Sequence, residues 1–174
     1  MPLQQVYWDA NVFHALFSKE KGRVEACERL HDAARGGKLL IYTSAITFAE
    51  CVWLKGLPKL SKEHEEVIQK FFMHKYIEII NCDRMTGTNA RRLLWDYPHL
   101  QPKDAIHVAS ALSQQVDVLH SYDTDLLKLN GRIGSPALKI FRPGESEEIK
   151  LDLASENVNP SGPPPRKFPP PPQN

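Results

Sequence analysis

The sequence predicts an α/β sandwich with a mainly parallel central sheet, on three observations. Short apolar runs alternate with longer stretches of helical periodicity from Val6 to Phe141. The connections between them are short. An acid also follows closely on several of the apolar runs, where a parallel sheet opens its functional crevice.

The elements follow in order. Val6 to Trp8 is an apolar run that ends at Asp9, and Ala10 to Phe17 reads as a helix. From about Arg23 to Arg35, Val24, Cys27, Leu30 and Ala34 share one helical face, and Gly36-Gly37 stop it. Leu39 to Tyr42 is the next strand. In the helix after it, Ala45, Phe48, Ala49, Val52 and Trp53 recur at helical spacing and are expected to form a buried stripe, closed by Gly56 and Pro58. Ser61 is placed to cap another helix with acids in its first turn. Tyr76 to Ile80 reads as a strand, followed by a helix carrying Ala90, Leu93 and Leu94. Pro102 stands at a helix start, where its missing N–H is tolerated, and Ala105, Val108, Ala109 and Leu112 make that helix's stripe. Val116 to His120 and Leu138 to Phe141 are the last strands.

These elements place one folded unit in residues 1–145, with a flexible proline-rich tail over 146–174. Pro160, Pro163 to Pro165 and Pro169 to Pro172 preclude helix or central strand there. A chain of 174 residues fits one domain with a tail, and buries roughly two thirds of its unfolded surface. A formal charge of +1 excludes a strongly basic nucleic-acid coat and leaves room for a local basic groove. Lys55, Lys59, Lys62 and the pair Arg91-Arg92 are candidates to guide a backbone of phosphates.

Cys27, Cys51 and Cys82 are odd in number, widely spaced and set in apolar stretches, which suits reduced core thiols better than disulfides or zinc. The histidines form no HExxH or paired Cys/His pattern. His107, one turn after Asp104, and His120, beside Ser121, stand where either could approach the acids, but are read as packing or solvated residues. The start MPLQQVYWD lacks the basic and apolar run of a signal peptide, and no stretch approaches a membrane span. A cytoplasmic location is the expectation.

The acids give the chemistry. Asp9 directly follows the first strand. Glu50 lies about six residues into the helix after the second, roughly 9 Å along its axis. The helix that begins near Asp104 runs away from the sheet edge for roughly 15 Å, and the next strand returns about 20 Å to Asp123 and Asp125. All are thus expected at one edge. Two carboxylates about 5 Å apart repel by roughly 3 kcal/mol at an effective dielectric of about 20. A converged cluster therefore calls for a divalent cation, and all-oxygen ligation suits Mg²⁺ or Mn²⁺ rather than zinc. Ions so held activate a water and stabilise a leaving oxygen in attack on phosphorus. Asp9, Glu50, Asp104 and Asp123 are the candidate catalytic and metal-binding residues, Asp125 a further candidate ligand, and Asn11 and Ser121 neutral groups to orient them.

D-x-N after the first strand, a glutamate in the helix after the second, KDAIHVASAL, and S-x-D-x-D after a later strand together resemble the PIN-domain ribonucleases, especially VapC-type toxins. The resemblance covers roughly Val6 to Phe141. It implies an RNA substrate, Mg²⁺ or Mn²⁺ dependence, endonucleolytic cleavage, a homodimer and an antitoxin partner, with Asp9, Glu50, Asp104 and Asp123 on the family's acidic positions. The proline-rich tail departs from the short toxin pattern. A haloacid-dehalogenase-type phosphatase would want a second aspartate where this chain has Asn11. The stronger alternative is a non-catalytic PIN-like module binding RNA or protein, its tail recruiting partners with aromatic grooves.

Overall fold

The computed structural model describes residues 3–52 and 61–145. Five strands, β1 (Gln4–Trp8), β2 (Leu39–Ser44), β3 (Ile77–Ile80), β4 (Val118–His120) and β5 (Lys139–Phe141), form one sheet in the order β3-β2-β1-β4-β5. Every neighbouring pair is parallel. Seven helices lie among the described residues: α1 (Ala10–Phe17), α2 (Val24–Arg35), α3 (Ile46–Glu50), α4 (Lys62–Phe72), α5 (Arg84–Asp96), α6 (Pro102–Gln114) and α7 (Thr124–Leu127). The predicted α/β/α sandwich is the observed architecture.

The period of two along a strand divides the core. Val6 and Trp8 of β1 face a layer built with α1, α2 and α4, where Phe13, Phe17, Phe71 and Phe72 pack ring against ring. Tyr7 faces the opposite layer, built from α5, α6 and the Leu119 and Ile140 side chains of β4 and β5. With both faces covered, the central strand must be apolar throughout, and Val6, Tyr7 and Trp8 are all fully buried.

Several local expectations hold. The Ser61 hydroxyl caps α4 by accepting from the His64 N–H, and Pro102 is the first residue of α6. Gly36 has an ordinary φ of −77°, whereas Gly37 is left-handed at +72°, so Gly37 is the position that needs glycine at the end of α2.

Two expectations are corrected. The stripe predicted after β2 does not form: α3 is short, Phe48 and Ala49 are exposed, and Thr47 is its buried residue. The helix docks through hydroxyls. Thr43 donates to the Trp8 carbonyl (2.8 Å), so Thr47 supplies the proton of the 2.8 Å bond between the two threonines. Cys82 is exposed, while Cys27 and Cys51 are free and buried as expected. Trp53, Lys55, Gly56, Pro58, Lys59 and the proposed tail over 146–174 lie outside the described residues. Among those described, no helix is long and apolar enough to cross a membrane.

Candidate active site

The parallel ladders β2-β1-β4 fix which loops meet. Trp8 pairs with His120 and Tyr7 with Tyr42, so Asp9 leaves the sheet beside Ser121 and across from the start of α3. One further ladder bond, from Asp9 N to the His120 carbonyl (3.3 Å), carries the register to the acid itself. Asp9 is buried and caps α1, its Oδ1 accepting from the Val12 N–H at 3.2 Å. Its Oδ2 accepts from Ser121 Oγ at 2.5 Å and from Asn11 Nδ2 at 3.4 Å.

Ser121 links two acids. Its hydroxyl donates to Asp9 and accepts the Asp123 backbone N–H at 2.9 Å. Asp123 caps α7, with Oδ1 accepting from the N–H groups of Asp125 (2.7 Å) and Leu126 (3.4 Å). Asp104, in the first turn of α6, is buried. Burial, and next the charge of Asp123, hold its carboxyl above the ordinary range. Burial likewise raises Asp9; His107, Ser121 and the Val12 N–H oppose the rise, and Glu50 adds to it. The influence of Glu50 on Asp9, and of Asp123 on Asp104, places these acids within electrostatic reach of one another.

Glu50 is held from three sides. Its backbone carbonyl accepts from His14 Nε2 at 2.9 Å. Its Oε2 accepts from His107 Nε2 at 2.8 Å, and Lys103 Nζ stands 3.2 Å from its Oε1. Burial alone would raise this carboxyl, but His107 and then Lys103 outweigh it and hold it below the ordinary range. Behind His107, the Tyr7 hydroxyl meets Nδ1 at 2.8 Å. The ring donates through Nε2 to the carboxylate, while its Nδ1 pairs with the tyrosine hydroxyl. Burial pushes the Tyr7 hydroxyl far above its ordinary value, which keeps that proton in place.

Lys103, His107 and Tyr7 were not singled out as site residues from the sequence. The signal was available in the spacing: Lys103 and His107 are four apart on α6 and share a face flanking Asp104. His120 behaves as the packing residue expected. It is fully buried, neither ring nitrogen has a hydrogen-bond partner, and burial pulls its pKa down to about 3.

Asp125 pairs with Lys128 at 2.7 Å, which lowers its carboxyl, and it takes no part in the bonds that join Asp9, Ser121 and Asp123. Among the described residues, no three His, Cys, Asp or Glu side chains form a group placed to hold a metal ion. The donor chemistry nevertheless fits a hard divalent cation: Asp9, Glu50, Asp104 and Asp123 offer carboxylate oxygen, and the two buried ones are each raised by another acid, Asp9 by Glu50 and Asp104 by Asp123. The partial cancellation comes from Lys103, whose ammonium is stabilised, against burial, by Glu50, Asp104 and Asp9.

The model of the PIN domain matches residues 6–131, which contain every one of these acids. The chain belongs to the PIN domain family. PIN domains are nucleases as a family. Among solved structures, a VapC20 toxin from Mycobacterium tuberculosis, described as sarcin-ricin loop cleaving, is similar at TM-score 0.58 and 14% identity, over 71% of this chain and 93% of that one. VapBC2 from Rickettsia felis, bound to a promoter DNA fragment, gives TM-score 0.58 and 14% identity over 79% and 97%. A toxin–antitoxin complex from Klebsiella pneumoniae gives TM-score 0.51 and 23% identity over 70% and 89%. These likenesses concern the fold of the PIN domain. No curated protein sequence matches the chain.

Proposed function

We propose that this PIN domain is a divalent-cation-dependent endoribonuclease, the toxin of a toxin–antitoxin pair. The observation that supports it above others is the burial of Asp9 and Asp104 among further acids at the carboxyl edge of the sheet. Burying charged carboxylates beside one another costs stability, and capping alone does not require it. Asp9, Glu50, Asp104 and Asp123 would hold Mg²⁺ or Mn²⁺, which when bound activates water and stabilises the leaving oxygen of a phosphodiester.

The chain's own residues supply orientation. Ser121 sets the spacing of Asp9 and Asp123 through one hydroxyl, Asn11 steadies Asp9, and His107 fixes the carboxylate plane of Glu50. Arg91 and Arg92 are exposed on α5 and Lys62 on α4, suited to the phosphates of RNA. An RNA substrate is favoured by the description of the Mycobacterium toxin, and an antitoxin partner by the toxin–antitoxin complexes among the similar structures. A homodimer in the cytoplasm, without the tail over 146–174 taking part in catalysis, completes the reading.

The test incubates the purified protein with single-stranded and structured RNA, with and without Mg²⁺ or Mn²⁺, beside Asp9→Asn. Cation-dependent cleavage that the variant lacks supports the nuclease. Equal inertness of both, with RNA still bound, would replace it with a non-catalytic RNA-binding module. Removing residues 159–174 is expected to leave cleavage intact.

A further inference from the structure

We infer that Lys103 is a built-in cation that occupies Oε1 of Glu50 until a divalent ion displaces it, while Tyr7 and His107 keep Oε2 fixed throughout. The inference rests on the cation-dependent reading above and assigns the order in which this chain's groups give way.

The two partners of Glu50 are physically unlike. The His107 side chain is 2% exposed, meets Oε2 at 2.8 Å, and is itself pinned through Nδ1 to the Tyr7 hydroxyl at 2.8 Å. Tyr7 is fully buried in the central strand and meets the imidazole edge to face, with centroids 5.8 Å apart. Withdrawing His107 would break both hydrogen bonds of a buried imidazole, a penalty of desolvation with nothing regained. The Lys103 side chain is 50% exposed and stands 3.2 Å from Oε1. Withdrawing it returns an ammonium on a flexible stem to water, and half-exposed ion pairs of this kind are weak. One oxygen of Glu50 is therefore locked and the other is held by a group that leaves easily.

The position of Lys103 suits a stand-in for an ion. Its ammonium is favoured by Glu50, Asp104 and Asp9 together, the same acids that offer oxygen to a cation. With the lysine in place the charge of the acidic edge is partly neutralised. An arriving ion has to remove the lysine for two reasons, competition for Oε1 and repulsion between like charges.

The test is an equilibrium measurement on the full chain. Mn²⁺ is titrated calorimetrically into wild type, Lys103→Met, Glu50→Gln and Asp9→Asn. Methionine keeps an apolar stem at a half-exposed helix position, so the fold is retained. The expected result is tighter Mn²⁺ binding by Lys103→Met, by about three- to fivefold, and weaker binding by the two acid variants. Acetic anhydride labelling, followed by mass spectrometry, gives a second readout. Lys103 should label slowly in metal-free wild type, faster with saturating Mn²⁺, and fast in Glu50→Gln without any metal. Equal or weaker binding by Lys103→Met, with wild type binding and Asp9→Asn not, would overturn the displacement and leave the metal reading intact. Absence of any Mn²⁺ binding by wild type would remove both.

Discussion

At the amino end of the sheet, Asp117 precedes β4 and accepts the backbone N–H of Gln5 at 3.0 Å, in an exposed hollow lined also by Gln4, Gln114 and Gln115. At the carboxyl end, Asp9 and Asp104 are buried, and each is raised by burial and by another acid. Asp117 shows what the fold itself asks of an acid next to a strand: one hydrogen bond that ties two strands, with water at hand. Asp83, after β3, makes the same point at the functional edge. It caps α5 by accepting from the Thr86 N–H and hydroxyl, stays exposed, and has its carboxyl lowered by those bonds. An exposed cap strengthens a helix at little cost. Asp9 also caps a helix, so its burial beside Glu50 has to be explained by something other than capping.

The largest expected difference between the two ends is in catalysis. Asp9→Asn should lower Mn²⁺-dependent RNA cleavage by about a hundredfold or more, on the scale seen when a preorganised electrostatic group is removed. Asp117→Asn, assayed on the same end-labelled RNA, should stay within about twofold, as for surface changes away from special features. Equal losses at the two ends would break the comparison, because the carboxyl-edge acids would then have no separate role.

His107→Ala comes next. Loss of the group that orients Glu50 should reduce cation affinity or cleavage by about 10- to 100-fold. The same change leaves the Tyr7 hydroxyl and Glu50 Oε2 without their partner, so thermal unfolding should report a loss of roughly 1–3 kcal/mol. Tyr7→Phe should move both readouts the same way and less, since His107 keeps its bond to the carboxylate. A variant that unfolds earlier with unchanged Mn²⁺ affinity would reduce the Tyr7–His107–Glu50 chain to a packing device.

Asp9→Asn sharpens the comparison in the opposite direction when no metal is present. Asparagine still caps α1 and still accepts from Ser121, but brings no charge. It should stabilise the metal-free protein at neutral pH by on the order of 1 kcal/mol. The pH profile carries the sign. A carboxyl raised in the folded state adds stability that is complete below its unfolded value near 3.9 and is lost as pH rises through the folded value. Asp9 and Asp104 therefore favour the fold in acid and withdraw that help toward neutrality. Glu50, which is lowered, contributes above its unfolded value and loses its share as pH falls. Urea unfolding in chelator between about pH 4 and 7, roughly the window of carboxylate titration, should show wild type losing ground relative to Asp9→Asn as pH increases.

The legible part of the molecule was the part governed by period and by strand order. Alternating apolar runs and helical stripes named all five strands, and the register of a parallel sheet then delivered Asp9, Ser121 and Asp123 to one edge. What the sequence hid depends on side-chain chemistry across layers. The apolar spacing after β2 pointed to a packed stripe, but the helix docks through Thr43 and Thr47, and hydroxyls leave no periodic trace. From the sequence His107 reads as a packing or solvated residue, because its partners Tyr7 and Glu50 are 100 and 57 residues away. Nothing in the residues around Lys103 marks it either, since its partner Glu50 is likewise distant in sequence. Long-range polar pairs are invisible to any window of neighbours.

Asp125 is the finest test of where the functional edge stops. Its carboxylate lies on Lys128 at 2.7 Å, one turn along the same short helix, and its backbone N–H is what Asp123 uses as a capping donor. Removing the Asp125 side chain leaves that N–H, and the position of Asp123, untouched. Asp125→Ala should therefore keep cleavage within about twofold of wild type, whereas Asp123→Ala loses the α7 cap and the charge that acts on Asp104. Single-turnover cleavage of one RNA by both variants separates them. Should Asp125→Ala fall as far as Asp123→Ala, the Lys128 pair would have to be read as Lys103 is, a cation standing where an ion is received, and the acidic edge would extend one residue further along α7.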